Sequence, residues 1–508
     1  MEEVLMQNKK KKLYSAIKIF CFFFLLLVFI IGAGKITKRK ESMKKYADFV
    51  ELADQVDVLF FGSSHVMNSI NPVQLFLEYG ITGYNMGKSG GKVPESYWAF
   101  MNALDYCEPK CVVVDVWALD KDFHYVDTRN EGESATIDET AISFLHDSLD
   151  YLPLSKNKIA AVNDLIEDKE TRKEFLWDFV LYHDRWSSLK EEDFRPEMYK
   201  ANSHYDLGSF TGYEVVPNLN IFQVDKVDDV LPEDTASVQY LHKILDECEK
   251  RGIKAVITFF PLSESYELDW MATNTAEKIA MERGVPFLNM LPHDSQTVIQ
   301  YKTDMFDSIH VNANGMRKVT SSVGAYLHEV LELEDHREDP EYIAWEEKAG
   351  QWQSKEVGKL LDETNLYIKL EMILNLNANA IIFLRGKSPA FQDSLVQEFL
   401  MQLSGTTSIL EAADCNGPYL LVRTINDDEV EVQEYVGEMQ IESMETILGD
   451  TNYIAMQPFS AIYVDGNQEY NYLDMEKNYE SSVQIMILGQ EGEIMQQFYV
   501  RPEWNGSK

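Results

Sequence analysis

The chain has 508 residues, 45% hydrophobic and 26% charged, an ordinary globular composition that excludes a disordered tail or fibrous repeat and leaves room for two to four domains. Its net charge is −38; 11 basic and 3 acidic residues over positions 1–45 leave 35 basic against 81 acidic over 46–508. So acidic a body argues against nucleic acid as a partner, and a solvated surface accounts for it as well as any ligand would.

A basic segment, 1–12, leads into an apolar run, Leu13 to Gly34, uncharged from Ile19 to Ile31. At 1.5 Å per residue this run covers about 33 Å, enough for a transmembrane helix. Lysines flank it on both sides (Lys9 to Lys12; Lys35, Lys38, Arg39 and Lys40), so the positive-inside rule casts no clean vote. A short leader before one span fits an uncleaved signal anchor with its N-terminus inside, while the small residues Gly32, Ala33 and Gly34 leave cleavage open. Residues 35–55 read as a polar, helix-prone stalk.

From there the pattern alternates. Val56 to Phe61 is a short buried strand, Pro72 to Tyr79 a helix, Gly83 to Met86 a strand, a helix opens near Pro94, and Cys111 to Trp117 is a strand. The rhythm resumes with a helix at Val238 to Lys250, a strand at Lys254 to Phe260, a helix at Thr273 to Glu282, a strand at Pro286 to Asn289 and a helix at Ala313 to Leu331. This predicts an α/β fold, a parallel sheet covered on both faces, over 56–335. An insertion at about 122–235 breaks the rhythm. A charged linker or connecting helix over 336–360 precedes a smaller α+β domain, 361–508.

Five cysteines are too few for a disulfide framework. Cys107 and Cys111 lack a second ligand pair for zinc and read as packing thiols, so neither metal nor cofactor is expected.

Three segments carry chemistry. Phe61-Gly62-Ser63-Ser64-His65 puts a serine at the C-terminal end of the first strand, where it is either a nucleophile or part of a capping turn. Tyr84-Asn85-Met86-Gly87-Lys88-Ser89-Gly90-Gly91 is a glycine loop whose amides can approach a developing oxyanion. Asp307-Ser308-Ile309-His310, ahead of Asn312 and Asn314 as candidate helix caps, offers a base with its own orienting carboxylate, or a surface pair at a helix start.

Together, in this order, FGSSHVMNSINP, YNMGKSGG and DSIHVNANG resemble the SGNH (GDSL-type) hydrolase superfamily over about residues 56 to 330. The resemblance implies a flavodoxin-like three-layer sheet, Ser64 as nucleophile with Ser63 in place of the usual aspartate, His310 as general base and Asp307 as its partner. It makes the amides of Ser64 and Gly90 the oxyanion hole. In the third block, usually Gly-x-Asn-Asp, the chain reads Val116-Trp117-Ala118-Leu119-Asp120, so the side-chain oxyanion donor is missing.

With the N-terminal span, the chain is similar to a membrane-anchored branch found in Gram-positive bacteria, including proteins of teichoic acid D-alanylation and proteins that accompany membrane-bound O-acyltransferases. The implied activity is a serine esterase or O-acyltransferase on acyl, by default acetyl, esters of a cell-surface glycan outside the membrane. The alternative is a weak or inactive scaffold that binds glycan or a membrane-bound O-acyltransferase. His65, Asn85, and His183 and Arg185 of Tyr182-His183-Asp184-Arg185-Trp186 are candidate substrate contacts; a packed Trp with a structural salt bridge is the competing role for the last motif.

Overall fold

The computed structural model describes residues 2–38, 41–121, 145–177, 182–195, 206–293, 299–384, 388–415, 418–426, 429–437, 443–448, 451–456, 461–464, 467–471 and 483–500. The first helix, α1 (Glu2–Thr37), contains a 27-residue stretch, Lys11–Thr37, long and apolar enough to cross a membrane. The stretch read as a stalk forms α2 (Glu41–Leu52), which packs Phe49 and Leu52 into the core rather than standing clear of it. The reason is local: Tyr46, Phe49 and Leu52 recur at helical spacing and make one apolar face.

A five-stranded sheet follows: β1 (Val58–Phe61), β2 (Gly83–Asn85), β3 (Cys111–Asp115), β4 (Lys254–Phe259) and β5 (Phe287–Asn289). All pairings are parallel and the order is β2-β1-β3-β4-β5. Side chains alternate between its faces. Leu59, Phe61, Val112, Val114, Ile257 and Phe259 join one apolar cluster, whereas Val58, Phe60, Cys111, Val113 and Val256 join another. Because both faces are buried, the strands read as continuous apolar runs. Helices α5 (Val93–Ala103), α6 (Ala236–Arg251) and α7 (Glu267–Arg283) supply the first cluster, and α3 (Ser64–Ser69) and α8 (Ala313–Glu329) the second. Helix α4 (Pro72–Tyr79) starts where the sequence dictates: Asn71 Oδ1 accepts from the amides of Val73 and Gln74 at 3.0 and 3.3 Å, with Pro72 in the first turn.

The end of the predicted insertion crosses the C-terminal edge of this sheet. Asn85 N–H donates to the Leu207 carbonyl, Phe210 N–H to that of Met67 and Ala313 N–H to that of Gly212. Residues 122–144, 178–181 and 196–205 of the insertion lie outside the described residues.

Helix α9 (Ile343–Asp362) occupies the segment read as linker or connecting helix; Trp345 and Trp352 pack into the first cluster and Leu360 into a third. That third cluster underlies an antiparallel sheet of β6 (Asn379–Leu384), β7 (Tyr419–Asn426), β8 (Glu429–Val436), β9 (Val483–Leu488) and β10 (Ile494–Val500), in the order β8-β7-β6-β9-β10. Helices α10 (Leu366–Asn375), α11 (Ser394–Ser404) and α12 (Ser408–Cys415) cover it. Four further antiparallel strands run between Ser443 and Asn471.

Candidate active site

Strand β1 delivers Gly62-Ser63-Ser64 to the C-terminal edge of the sheet. A Cβ on Gly62 would lie 2.4 Å from Val66 Cγ2 and 3.1 Å from Asp115 Cβ, so only glycine lets the chain turn this tightly into α3. Ser63 caps that helix, its Oγ accepting from the His65 amide at 3.1 Å. Ser63 therefore serves the turn, and Ser64 is left for other partners.

Ser64 Oγ lies 2.8 Å from His310 Nε2, and His310 Nδ1 lies 2.8 Å from Asp307 Oδ2. With Nδ1 donating to the carboxylate, Nε2 is the acceptor that faces the serine hydroxyl. The other Asp307 oxygen accepts from the amides of Ile309 and His310, both at 2.8 Å. Burial pushes the Asp307 carboxyl up, but the His310 bond and the two amides outweigh it and hold the group below the usual carboxylate range.

The loop that carries His310 is fixed at several points. Ser263, just past β4, donates N–H and Oγ to the Ser308 carbonyl; Phe306 N–H donates to the His310 carbonyl, and Asn312 N–H to that of Asp304. Asn312 is the cap of α8, accepting from Gly315 N–H at 3.2 Å, while Asn314 Nδ2 binds Asp304 instead.

The glycine loop after β2 lies against the serine turn: Lys88 N–H donates to the Gly62 carbonyl at 3.3 Å. Gly90 takes φ +64°, the left-handed region. Among the described residues the amides of Ser64 and Gly90 have no backbone acceptor, as a pair of oxyanion donors requires. Lys88 anchors the loop, its buried Nζ 3.3 Å from Glu95 Oε2; burial pulls this ammonium down, and Glu95 and Asp147 push back.

Of the expected substrate contacts, two are committed to the protein. His65 is buried, with Nδ1 3.3 Å from Asp115 Oδ2 and Nε2 3.2 Å from the Pro261 carbonyl, and its ring lies against Trp117, Phe259 and Phe260. It ties the ends of β1, β3 and β4 together instead of facing a ligand. Asn85 is equally spent: Nδ2 donates to the carbonyls of Val66 and Ile70, and Oδ1 accepts from Gly87 N–H. Arg185 does not reach the serine; its guanidinium donates to the Thr37 carbonyl and meets Asp193 at 3.4 Å. The His183 side chain lies outside the described residues.

Leu119, where the resemblance expects an asparagine donor, is buried in the first cluster, and Asp120 beside it pairs with Lys121 at 2.6 Å. Asp115, which holds His65 and also accepts from the Trp117 and Phe260 amides, is a supporting residue the sequence reading passed over. Its signal was there: a lone carboxylate closing the apolar run Cys-Val-Val-Val. Burial raises the thiols of Cys107, Cys111 and Cys248 to about 12. Among the described residues no group of three or more His, Cys, Asp or Glu could hold a metal ion. No family model matches the chain, and no curated protein matches it at a significant level.

Proposed function

We propose that this chain is a membrane-anchored serine acyl-transfer enzyme of the SGNH type, working outside the membrane on acyl esters, acetyl by default, of a cell-surface glycan. The observation that carries the reading is the unbroken chain Ser64 Oγ, His310, Asp307, each link 2.8 Å, at the C-terminal edge of a parallel sheet. His310 Nε2 takes the Ser64 proton as Oγ attacks the ester carbonyl carbon. The oxyanion forms against the amides of Ser64 and Gly90. The carbonyl re-forms, the C–O bond to the alcohol breaks, and that alcohol leaves with the proton held by His310. Water, or a second sugar hydroxyl, then gives up its proton to His310 and attacks acyl-Ser64; the acyl–Oγ bond breaks, Oγ recovers the proton from His310, and acid or a new ester is released. Helix α1 holds the enzyme beside an immobile polymer.

Full-length protein in detergent is treated with a fluorophosphonate and assayed on an acetyl ester. One adduct per chain is expected, absent from Ser64→Ala and His310→Ala, with turnover in Ser64→Ala lower by roughly a thousandfold or more and its thermal midpoint unchanged. Equal turnover in Ser64→Ala would sink the proposal.

The burial of Leu119 where a side-chain donor is expected favours a second reading: a scaffold that binds glycan or a membrane-bound O-acyltransferase and keeps the fold without the turnover. Absence of both adduct and turnover, with glycan acylation in cells unaffected by Ser64→Ala, is the result that selects it.

A further inference from the structure

The insertion contains a feature that the acyl-transfer chemistry leaves unused. Along α1 the side chains at 11–29 are exposed, whereas Ala33, Gly34, Thr37 and Lys38 are buried, so the protein body begins at the last turns of the helix. What buries them is the turn His183–Ser188 and the short helix Glu191–Phe194, both packed on α1. Arg185 clamps the contact by donating to the carbonyl of Thr37, the final residue of α1, while pairing with Asp193.

From Ile31, the last large apolar side chain exposed on α1, to Thr37 the helix rises about 9 Å. The headgroup layer of one leaflet is about 5–8 Å thick. The buried residues from Ala33 to Thr37 lie about 3–9 Å above Ile31, so the collar that covers them spans the headgroup layer, and there it exposes two large aromatic side chains, Trp186 at 51% and Phe194 at 59%. Isolated exposed aromatics need no explanation, but two on the elements that collar an apolar helix lie where the aromatic belt of a membrane protein falls.

We infer that the segment 183–195 is a foot that rests in the lipid headgroup region, with Trp186 and Phe194 inserted at the boundary with the acyl chains, and that it fixes the catalytic body against the bilayer instead of leaving it to swing on a tether. The inference rests on the reading of α1 as a membrane span. The segment carries Arg185, Lys190 and Arg195 against Asp184, Glu191, Glu192 and Asp193, so its attraction is to the amphipathic interface rather than to anionic lipid.

The test reconstitutes the full chain in phosphatidylcholine vesicles whose lipids are brominated near the carbonyl end or near the methyl end of the chains. Emission from Trp186 is taken as the difference between the parent protein and Trp186→Phe. A roughly twofold loss of that difference emission with carbonyl-end bromines, less with methyl-end bromines and unchanged by added anionic lipid, is expected for a side chain at the interface. In the Trp186→Phe background, Phe194→Trp should restore a quenched component. Difference emission indifferent to bromine in both variants, from protein that stays with the vesicles through an alkaline wash, would overturn the foot and leave the anchor standing. Protein stripped by that wash would overturn the anchor and the foot with it.

Discussion

The two large sheets of this molecule solve the same packing problem and end with different capacities. In the parallel sheet every strand runs the same way, so β1, β2, β3 and β4 all end on one edge, and residues far apart in the chain, Ser64, Gly90, Asp115, Pro261 and His310, meet there. In the antiparallel sheet β7 pairs with β8 and β9 with β10, each with the next of these strands in the chain, while β6 reaches across the chain to β9, and adjacent strands end on opposite edges. Its buried charges are spent on holding segments in place: Arg423, pulled down to about 10 by burial, donates to the Ala378 carbonyl and to Asn377. Convergence of strand ends, more than the amount of buried surface, is what assembles a set of reactive groups.

The sharpest break between the two regions is a core truncation in the second. Phe399, fully buried on α11, should cost about 3–5 kcal/mol when replaced by alanine, read from denaturant unfolding. Labelling of Ser64 by fluorophosphonate well below the unfolding midpoint is expected to keep its rate. A labelling rate that fell in step with stability would make the two regions one cooperative unit.

Next in size is the knot beneath Ser64. His65→Gln loses the reach to one of its two partners, Asp115 or Pro261, and should slow Ser64 labelling by roughly ten- to a hundredfold through misplacement of the turn. Lys121→Ala, an exchange at the edge of the same region, serves as the control with an unchanged rate. Equal rates in all three proteins would show that the turn holds without His65.

The smallest effect concerns the junction. Glu371 on α10 is fully buried, accepts from Asn314 N–H at 2.7 Å, and is pushed well above the usual carboxylate range by burial, with the nearby carboxyls of Asp304 and Glu356 adding to the shift. A folded-state value above the unfolded one means the native protein binds the extra proton, so stability is full below the unfolded value, near pH 4.5, and falls as pH rises towards the folded value. Glu371→Gln should flatten this decline by up to about 1.4 kcal/mol per pH unit, seen as a thermal midpoint that drops less between mildly acidic and mildly alkaline buffer. Parallel pH profiles for the two proteins would remove Glu371 as the source.

Much of the parallel sheet was legible because β1, β3 and β4 are built on apolar runs and its helices announce their own ends: Asn71-Pro72 opens α4 and Gly252 closes α6. Ser64, His310 and Asp307 were picked out together only by the resemblance of three blocks, taken in order; each segment by itself left a capping turn or a surface pair open. The roles of His65 and Asn85 were not legible. A polar residue beside a nucleophile looks the same in sequence whether it faces ligand or protein, and the groups that claim His65 lie 50 and 196 residues away. Likewise Trp345 and Trp352 were hidden in a charged stretch, because Glu346, Glu347, Lys348 and Lys355 are interleaved with the side chains that pack inward.

Ser64 and His310 stand 246 residues apart in the chain, and that separation has a consequence for biosynthesis. At about 5–20 residues per second, roughly 10–50 s pass between the synthesis of the serine and that of the histidine. Until β4, the 303–312 loop and α8 have docked, the Ser64 hydroxyl has no His310 beside it. The two side chains meet only when the far end of the sheet is in place.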